Sequence, residues 1–329
     1  QHLNQTEDPV GRAVRDRNPF LSLIPFDPNV QRFDIVQNRF IETQKIEAKL
    51  DYFYLINDQS NINLSIGFTN VAQNYLSNFN QTLDDGSIKP FDDEQFKNDV
   101  DFSFNDLYFA LNYRIRTGIF TIDPGLTLHF YDNNNTQLGL TYAKDISDIR
   151  PNLRVNMQFK KNENLRFTYR KNTQFTDVNN ISEGYVFNNY NSIFRGSRGL
   201  EAAIVNSYNL NYRSINQFTF TNIFSNISYS KRENSIQSIA AIDGINSVRT
   251  ADNSIFPRET YSARARIDKR FKNIKINLGA SIRYSEFSNI INDVINNAES
   301  FNQDYEASLE TNFRDKPNFE IGLKYNLNN

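Results

Sequence analysis

The chain has 329 residues, with 36 Lys and Arg against 38 Asp and Glu, two histidines and no cysteine. Balanced charge excludes the basic footprint of a nucleic-acid binder. The missing cysteines exclude disulfide scaffolds, thiolate metal sites and cysteine nucleophiles, and His2 and His129 are too few and too far apart for a histidine metal cluster.

Mean hydropathy is −0.61, yet the chain carries 28 Phe and 17 Tyr. Disordered chains are poor in aromatics, and no run of about 18 apolar residues offers a spanning helix. Strands that face lipid with alternate residues only reconcile low hydropathy with many aromatics.

In chain order, residues 1–36 lack sustained alternation, carry Pro9, Pro19, Pro25 and Pro28, and are expected to be an irregular lead-in or loop. No basic and apolar leader opens the chain, as expected of a mature or excised segment. From residue 37 to 329 the period is two. Ile46, Ala48, Leu50, Tyr52 and Tyr54 oppose Lys45, Glu47, Lys49 and Asp51, and a turn at 57–60 leads to Ile62, Leu64, Ile66 and Phe68. Leu107 to Ile115 turn at 116–118 into Phe120 to Phe130; Leu153 to Phe159 turn at 160–164 into Leu165 to Tyr169. Tyr208, Leu210 and Tyr212 turn at 214–216 into Phe218 and Phe220. Beyond them Ile223, Ile227 and Tyr229 shift phase, which a bulge near Asn222 or emergence above the membrane would explain.

The strictest case is 274–284, where Ile274, Ile276, Leu278, Ala280, Ile282 and Tyr284 oppose Lys275, Asn277, Gly279, Ser281 and Arg283. Tyr261, Ala263, Ala265 and Ile267 precede it across a turn at 269–273, and Tyr305 to Phe313 turn at 315–318 into Phe319 to Tyr325. About twelve strands in six hairpins result, each long enough for the ~9–11 residues of a tilted spanning strand. Short turns alternate with long polar connections at 77–103, 132–149, 176–205, 231–256 and 288–303. That asymmetry places the long loops outside the cell. The fold expected is all-β, an antiparallel transmembrane β-barrel, with tyrosines and phenylalanines near strand ends as interface girdles.

Residues 150–212 carry a sharper pattern. Arg150-Pro151-Asn152-Leu153-Arg154 and Leu165-Arg166-Phe167-Thr168-Tyr169-Arg170 precede a long loop and Ser207-Tyr208-Asn209-Leu210-Asn211-Tyr212. This resembles the outer-membrane β-barrel family of Bacteroidetes, related to the TonB-dependent receptors, with its "P-S-L-x-L" and "L-R-F-x-Y-R" strands. Gly196, Leu200 and Glu201 match the loop end of that family, while its Asn-Pro and Lys-Pro elements are missing. The sharp motif covers about the middle fifth of the chain. The resemblance implies nutrient uptake (a siderophore, glycan or peptide) across the bacterial outer membrane, with outer-membrane lipid, TonB acting through a plug domain, and a surface lipoprotein as partners. Such receptors have 22 strands. No plug or TonB box is recognisable, and the chain ends at Leu327-Asn328-Asn329 without a terminal aromatic. The twelve strands are therefore expected to be part of a larger barrel, with a complete twelve-stranded barrel as the alternative. A structural barrel of a secretion or surface-assembly complex, and a passive porin, are the other functional readings.

No acid–base–nucleophile set, Walker loop or zinc motif is present, so neither an enzyme nor a cofactor is expected. Asp84-Asp85 and Asp92-Asp93-Glu94 form an acidic loop, more simply solvated than calcium-binding. Arg114, Arg116, Arg154, Arg166, Arg170, Arg213, Arg264, Arg266 and Arg283 share the polar parity with Glu47, Asp51, Asp268, Glu306, Glu310 and Glu320. They are expected to face the lumen. There they either neutralise one another, Arg283 and Lys275 against Glu306 and Glu310, or make a mildly basic channel that favours anions or holds a plug. Tyr185, Phe187 and Tyr190, flanked by amides, are candidate ligand contacts in an extracellular loop.

Overall fold

Alternation turns into strand throughout the computed structural model, which describes residues 2–16, 20, 23, 24, 26, 27, 29, 30, 32–189 and 191–329. Two short strands, β1 (His2–Glu7) and β2 (Val10–Arg15), lie end to end along the first long one, β3 (Phe33–Asn57). Then come β4 (Ser60–Thr82), the short β5 (Ile88–Pro90), β6 (Lys97–Thr117), β7 (Phe120–Gln137), β8 (Leu140–Lys160) and β9 (Glu163–Gln174). The next connection holds one helical turn, α1 (Val178–Ile181), with β10 (Val186–Asn189) and β11 (Ser192–Arg195). After it follow β12 (Ala203–Asn216), β13 (Thr221–Glu233), a hairpin of β14 (Ile236–Asp243) and β15 (Asn246–Asn253), then β16 (Arg258–Phe271), β17 (Ile274–Ile291), β18 (Val294–Thr311) and β19 (Glu320–Asn328).

Twelve of these, β3, β4, β6–β9, β12, β13 and β16–β19, pair antiparallel in chain order and form the wall of a transmembrane β-barrel. Among the described residues no helix is long and apolar enough to cross a membrane. One row of register partners shows why the strands share a face. Ile115, Ile122, Val155, Phe167, Leu210, Ile227, Ala263 and Ile282 are successive partners on eight adjacent strands, all apolar. The row also measures the stagger. Ile115 lies two residues from the strand end at Thr117, whereas Ile282 lies eight from Ile274, a slip of six residues over seven strand steps. With ~3.3 Å per residue and ~4.8 Å between strands, that slip tilts the strands by about 30°, near the ~35–45° of membrane barrels.

The next outer-face row is aromatic. Tyr169, Tyr208, Tyr229, Tyr261 and Tyr284 are partners on five strands, with ring centroids 4.8, 5.8, 4.7 and 6.2 Å apart. One outward step further the partners are Lys171, Asn206, Lys231, Glu259, Glu286 and Glu299. So abrupt a change, from tyrosine to charge, marks the edge of the apolar band. From Tyr261 to Phe271 the strand runs ten residues, which at this tilt is roughly 28 Å of height against the ~25 Å band of such barrels.

The structure departs from the sequence reading at five places. Residues 2–15 are paired strand along β3, and the wall strand itself begins at Phe33. The stretches 132–149 and 288–303 are not loops: β7–β8 and β17–β18 continue as ladders to turns at 138–139 and 292–293. Phe218 and Phe220 belong to a four-residue turn, Phe220 at φ 47°. No bulge is needed near Asn222, because Ile223, Ile227 and Tyr229 keep one outward phase through β13. The turn expected at 160–164 shortens to Lys161-Asn162.

Candidate functional site

Two regions on the inner face stand out, one filled and one open. The filled region lies at the loop end of β3–β7. Here the inner parity, charged lower down at Lys45, Glu47 and Lys49, becomes apolar or amide: Ile35, Gln37, Tyr75, Phe79, Asn98, Val100, Phe102 and Gln137 are all buried. The stretches 175–189 and 191–202 fold inward over them as a strap. Val178, Ile181 and Val186 pack with Tyr75, Val100 and Phe102, and Phe187 and Ile193 pack with Ile35, Phe79, Phe91 and Phe96. Phe187 meets Phe79 edge-on at 4.9 Å.

Burying a strap also buries its backbone, whose N–H and C=O groups then need partners. Three buried amides supply them, each to a neighbouring stretch. Gln137 donates to Ile181 O (2.8 Å) and accepts from Glu183 N (3.0 Å). Asn98 donates to Gly184 O (3.2 Å) and accepts from Gly184 N (2.8 Å). Gln37 donates to Tyr185 O (3.2 Å) and accepts from Phe187 N (2.9 Å). At Gly184 the backbone comes so close that an added Cβ would sit 2.2 Å from Lys97 O, so only glycine fits the clamp. Ion pairs hold the rim: Arg198 Nη2 to Glu183 at 2.6 Å, and Lys144 Nζ to Glu201 at 2.7 Å. The hydrogen bond to Glu201 raises the Lys144 ammonium above its ordinary value.

Tyr185 and Phe187 are therefore not offered to a ligand. Each is only 8% exposed, locked in the strap's own core. Their apolar environment overrides the amide neighbours that suggested capture. Tyr190 lies outside the described residues.

The open region lies lower, across β9, β12, β13 and β16–β19. A cavity of about 930 Å³ is bounded there by Arg166, Arg213, Arg264 and Arg266 together with Lys324, Asp304 and Glu306. Five of the fifteen charged positions singled out from sequence, Arg166, Arg213, Arg264, Arg266 and Glu306, thus meet in one place. Arg114, Arg154 and Arg170 line a smaller cavity of about 240 Å³, where Arg114 is held by Asp123 at 2.5 and 3.1 Å. Arg116 and Arg283 border neither cavity. The expected mutual neutralisation is half realised: Lys275 meets Glu310 at 3.1 Å, but Arg283 stands opposite Asn302. Glu306 leans instead over Gly279, its Cγ 2.5 Å from where a Cβ would be, so the missing side chain makes room for the carboxylate.

Sequence reasoning missed Lys324 and Asp304 in the cavity, although both follow the same alternation, and missed the three clamping amides, for which no local signal exists. Among the described residues no group of three His, Cys, Asp or Glu is placed to hold a metal ion.

No family model matches the chain, and no curated protein is similar to it. Solved structures share the fold. The FrpB iron transporter of Neisseria meningitidis (F5-1 variant) superposes at TM-score 0.57 with 14% identity, over 90% of this chain and 48% of that one. The copper transporter OprC gives 0.56 with 10% identity, over 98% and 52%. The Serratia marcescens hemophore receptor HasR, in a complex with hemophore HasA and heme, gives 0.55 with 11% identity, over 90% and 56%. The chain spans about half the length of these structures.

Proposed function

We propose that the chain is barrel wall from an outer-membrane uptake receptor of the TonB-dependent kind, importing a scarce nutrient such as a siderophore, glycan fragment or peptide into a Gram-negative cell. The carrying observation is a strapped loop end on β3–β7 together with a large polar cavity lower on the inner face of β9–β19. A passive pore needs an open path, whereas here the loop end of the inner face of β3–β7 is packed with a buried apolar core. The fold shared with transporters and a receptor supports the reading, as does the placement of the 150–212 motif on three adjacent strands, β8, β9 and β12. That motif alone supports the Bacteroidetes subfamily. TonB, reached through a plug domain, and a surface lipoprotein are the proposed partners, and the chemistry assigned is transport, not catalysis.

The test is deletion of the full-length gene, with growth measured on chelated iron, an oligosaccharide or an oligopeptide as the limiting source. Loss of growth on one source, mimicked in the parent by a protonophore, is the expected result. Uptake that survives the protonophore would favour a porin, and normal growth with a missing surface protein would favour an assembly barrel.

A further inference from the structure

The open cavity has an unbalanced wall. Two adjacent register rows cross it. Arg166, Asn211, Asn226, Arg264, Ser281, Asp304 and Asn326 form one; Arg213, Phe224, Arg266, Gly279, Glu306 and Lys324 form the other. Five cations thus face two carboxylates. Arg266 is engaged by Asp268 at 2.9 Å, and Arg213 lies over the Phe224 ring at 6.0 Å. Among the described residues Arg166 and Arg264 have no ion-pair partner. Both are exposed to the cavity, and amides, Asn211 and Asn226, fill the register positions between them. In the smaller cavity Arg114 is paired with Asp123, beside Arg154 and Arg170.

A guanidinium presents a planar fork that matches carboxylate and phosphate oxygens. In a concave recess lined mostly by one sign of charge its field is focused. Asn211 and Asn226 already bond each other at 2.7 Å, and Asn226 is the donor. We infer that Arg166 and Arg264 form an anion site on the barrel's inner face, and that the imported solute carries several carboxylate or phosphate oxygens. This rests on the uptake reading and narrows its substrate class to multiply charged oxyanions.

Arginine footprinting of the detergent-solubilised full-length protein tests it. Phenylglyoxal modification is followed residue by residue by mass spectrometry, in pyrophosphate, citrate or neutral raffinose at equal ionic strength. Arg166 and Arg264 are expected to react freely alone and to be slowed saturably, roughly tenfold, by an oxyanion well above its dissociation constant. The effective probe separates phosphate from carboxylate recognition. Arg12, bound to Asp34 at the barrel edge, serves as the control that no anion slows. Arg264→Gln should abolish protection at Arg166 while heat-modifiable migration stays normal; if that variant fails to assemble, Arg166→Gln is read at Arg264. Equal reactivity in all three solutes overturns the proposal. So does a pair of arginines unreactive without any anion, which would mean that another part of the protein fills the cavity. The footprint needs no transport, so its failure is distinct from failure of the uptake reading.

Discussion

The two halves of the wall are written in the same alternation and end in opposite ways. Above the membrane, the inner face of β3–β7 trades charge for Phe79, Phe96, Val100 and three amides, and is sealed by the strap. Across β9–β19 the inner face stays charged and open at membrane level. Burial there would have required pairing each arginine, because an unpaired buried charge is costly. An apolar inner surface closes on protein, and a charged one stays wet. The packed core and the polar cavity therefore fall on different strands of one wall.

The largest expected effect breaks the sealed half. Asn98→Leu keeps the side chain's approximate size but strands Gly184 N and Gly184 O, and removes the 2.8 Å bond to Ser77. Each orphaned buried group costs ~1–3 kcal/mol, so strap closure should weaken by roughly 2–5 kcal/mol. Hydrogen exchange at 181–187 and tryptic cleavage after Arg195 and Arg198 should both accelerate, with the wall strands still protected. Unchanged exchange would show that the apolar core alone holds the strap.

How much of this contrast was legible in the sequence follows from the same physics. Where one face meets lipid, alternation is unmistakable, as at 274–284, and strand, facing and hairpin order can all be read. Above the lipid both faces turn polar and the period disappears. Asp132-Asn133-Asn134-Asn135 looks like loop, yet it is strand, held on its outer face by Asn105 to Asp132 (3.3 Å) and Asn70 to Asn105 (2.7 Å). The strap clamps are hidden for a second reason: Gln37 and the Tyr185 carbonyl that accepts from it are 148 residues apart in the chain. The basic cavity was half legible, since parity finds its arginines while only the register shows that Arg166 and Arg264 share a row.

The open half is sharpened next by exchanging its two faces. Leu278 sits on the outer face opposite Ala307 and Ile267, and Asn277 on the inner face opposite Ser308. Leu278→Arg should destabilise the inserted barrel by about 2–4 kcal/mol if the position lies near mid-membrane, and Asn277→Arg by far less. Urea unfolding in lipid vesicles reads the difference. Equal costs would reverse the facing on which the cavity's polarity depends.

The smallest effect concerns a cross-strand ion pair in the charged half. Lys275 and Glu310 are 3.1 Å apart on neighbouring strands, with both side chains 43% exposed. Water competes for such a pair and salt screens it, so its contribution lies within ~0–1 kcal/mol. Glu310→Gln should leave unfolding almost unchanged in the same vesicles, and a double cycle with Lys275→Met should give a coupling that fades at high salt. A coupling of several kcal/mol that persists in salt would mean that the inner face at this end of β17 and β18 is dry like the strapped half, so that charge along the alternation would not by itself mark a solvated surface.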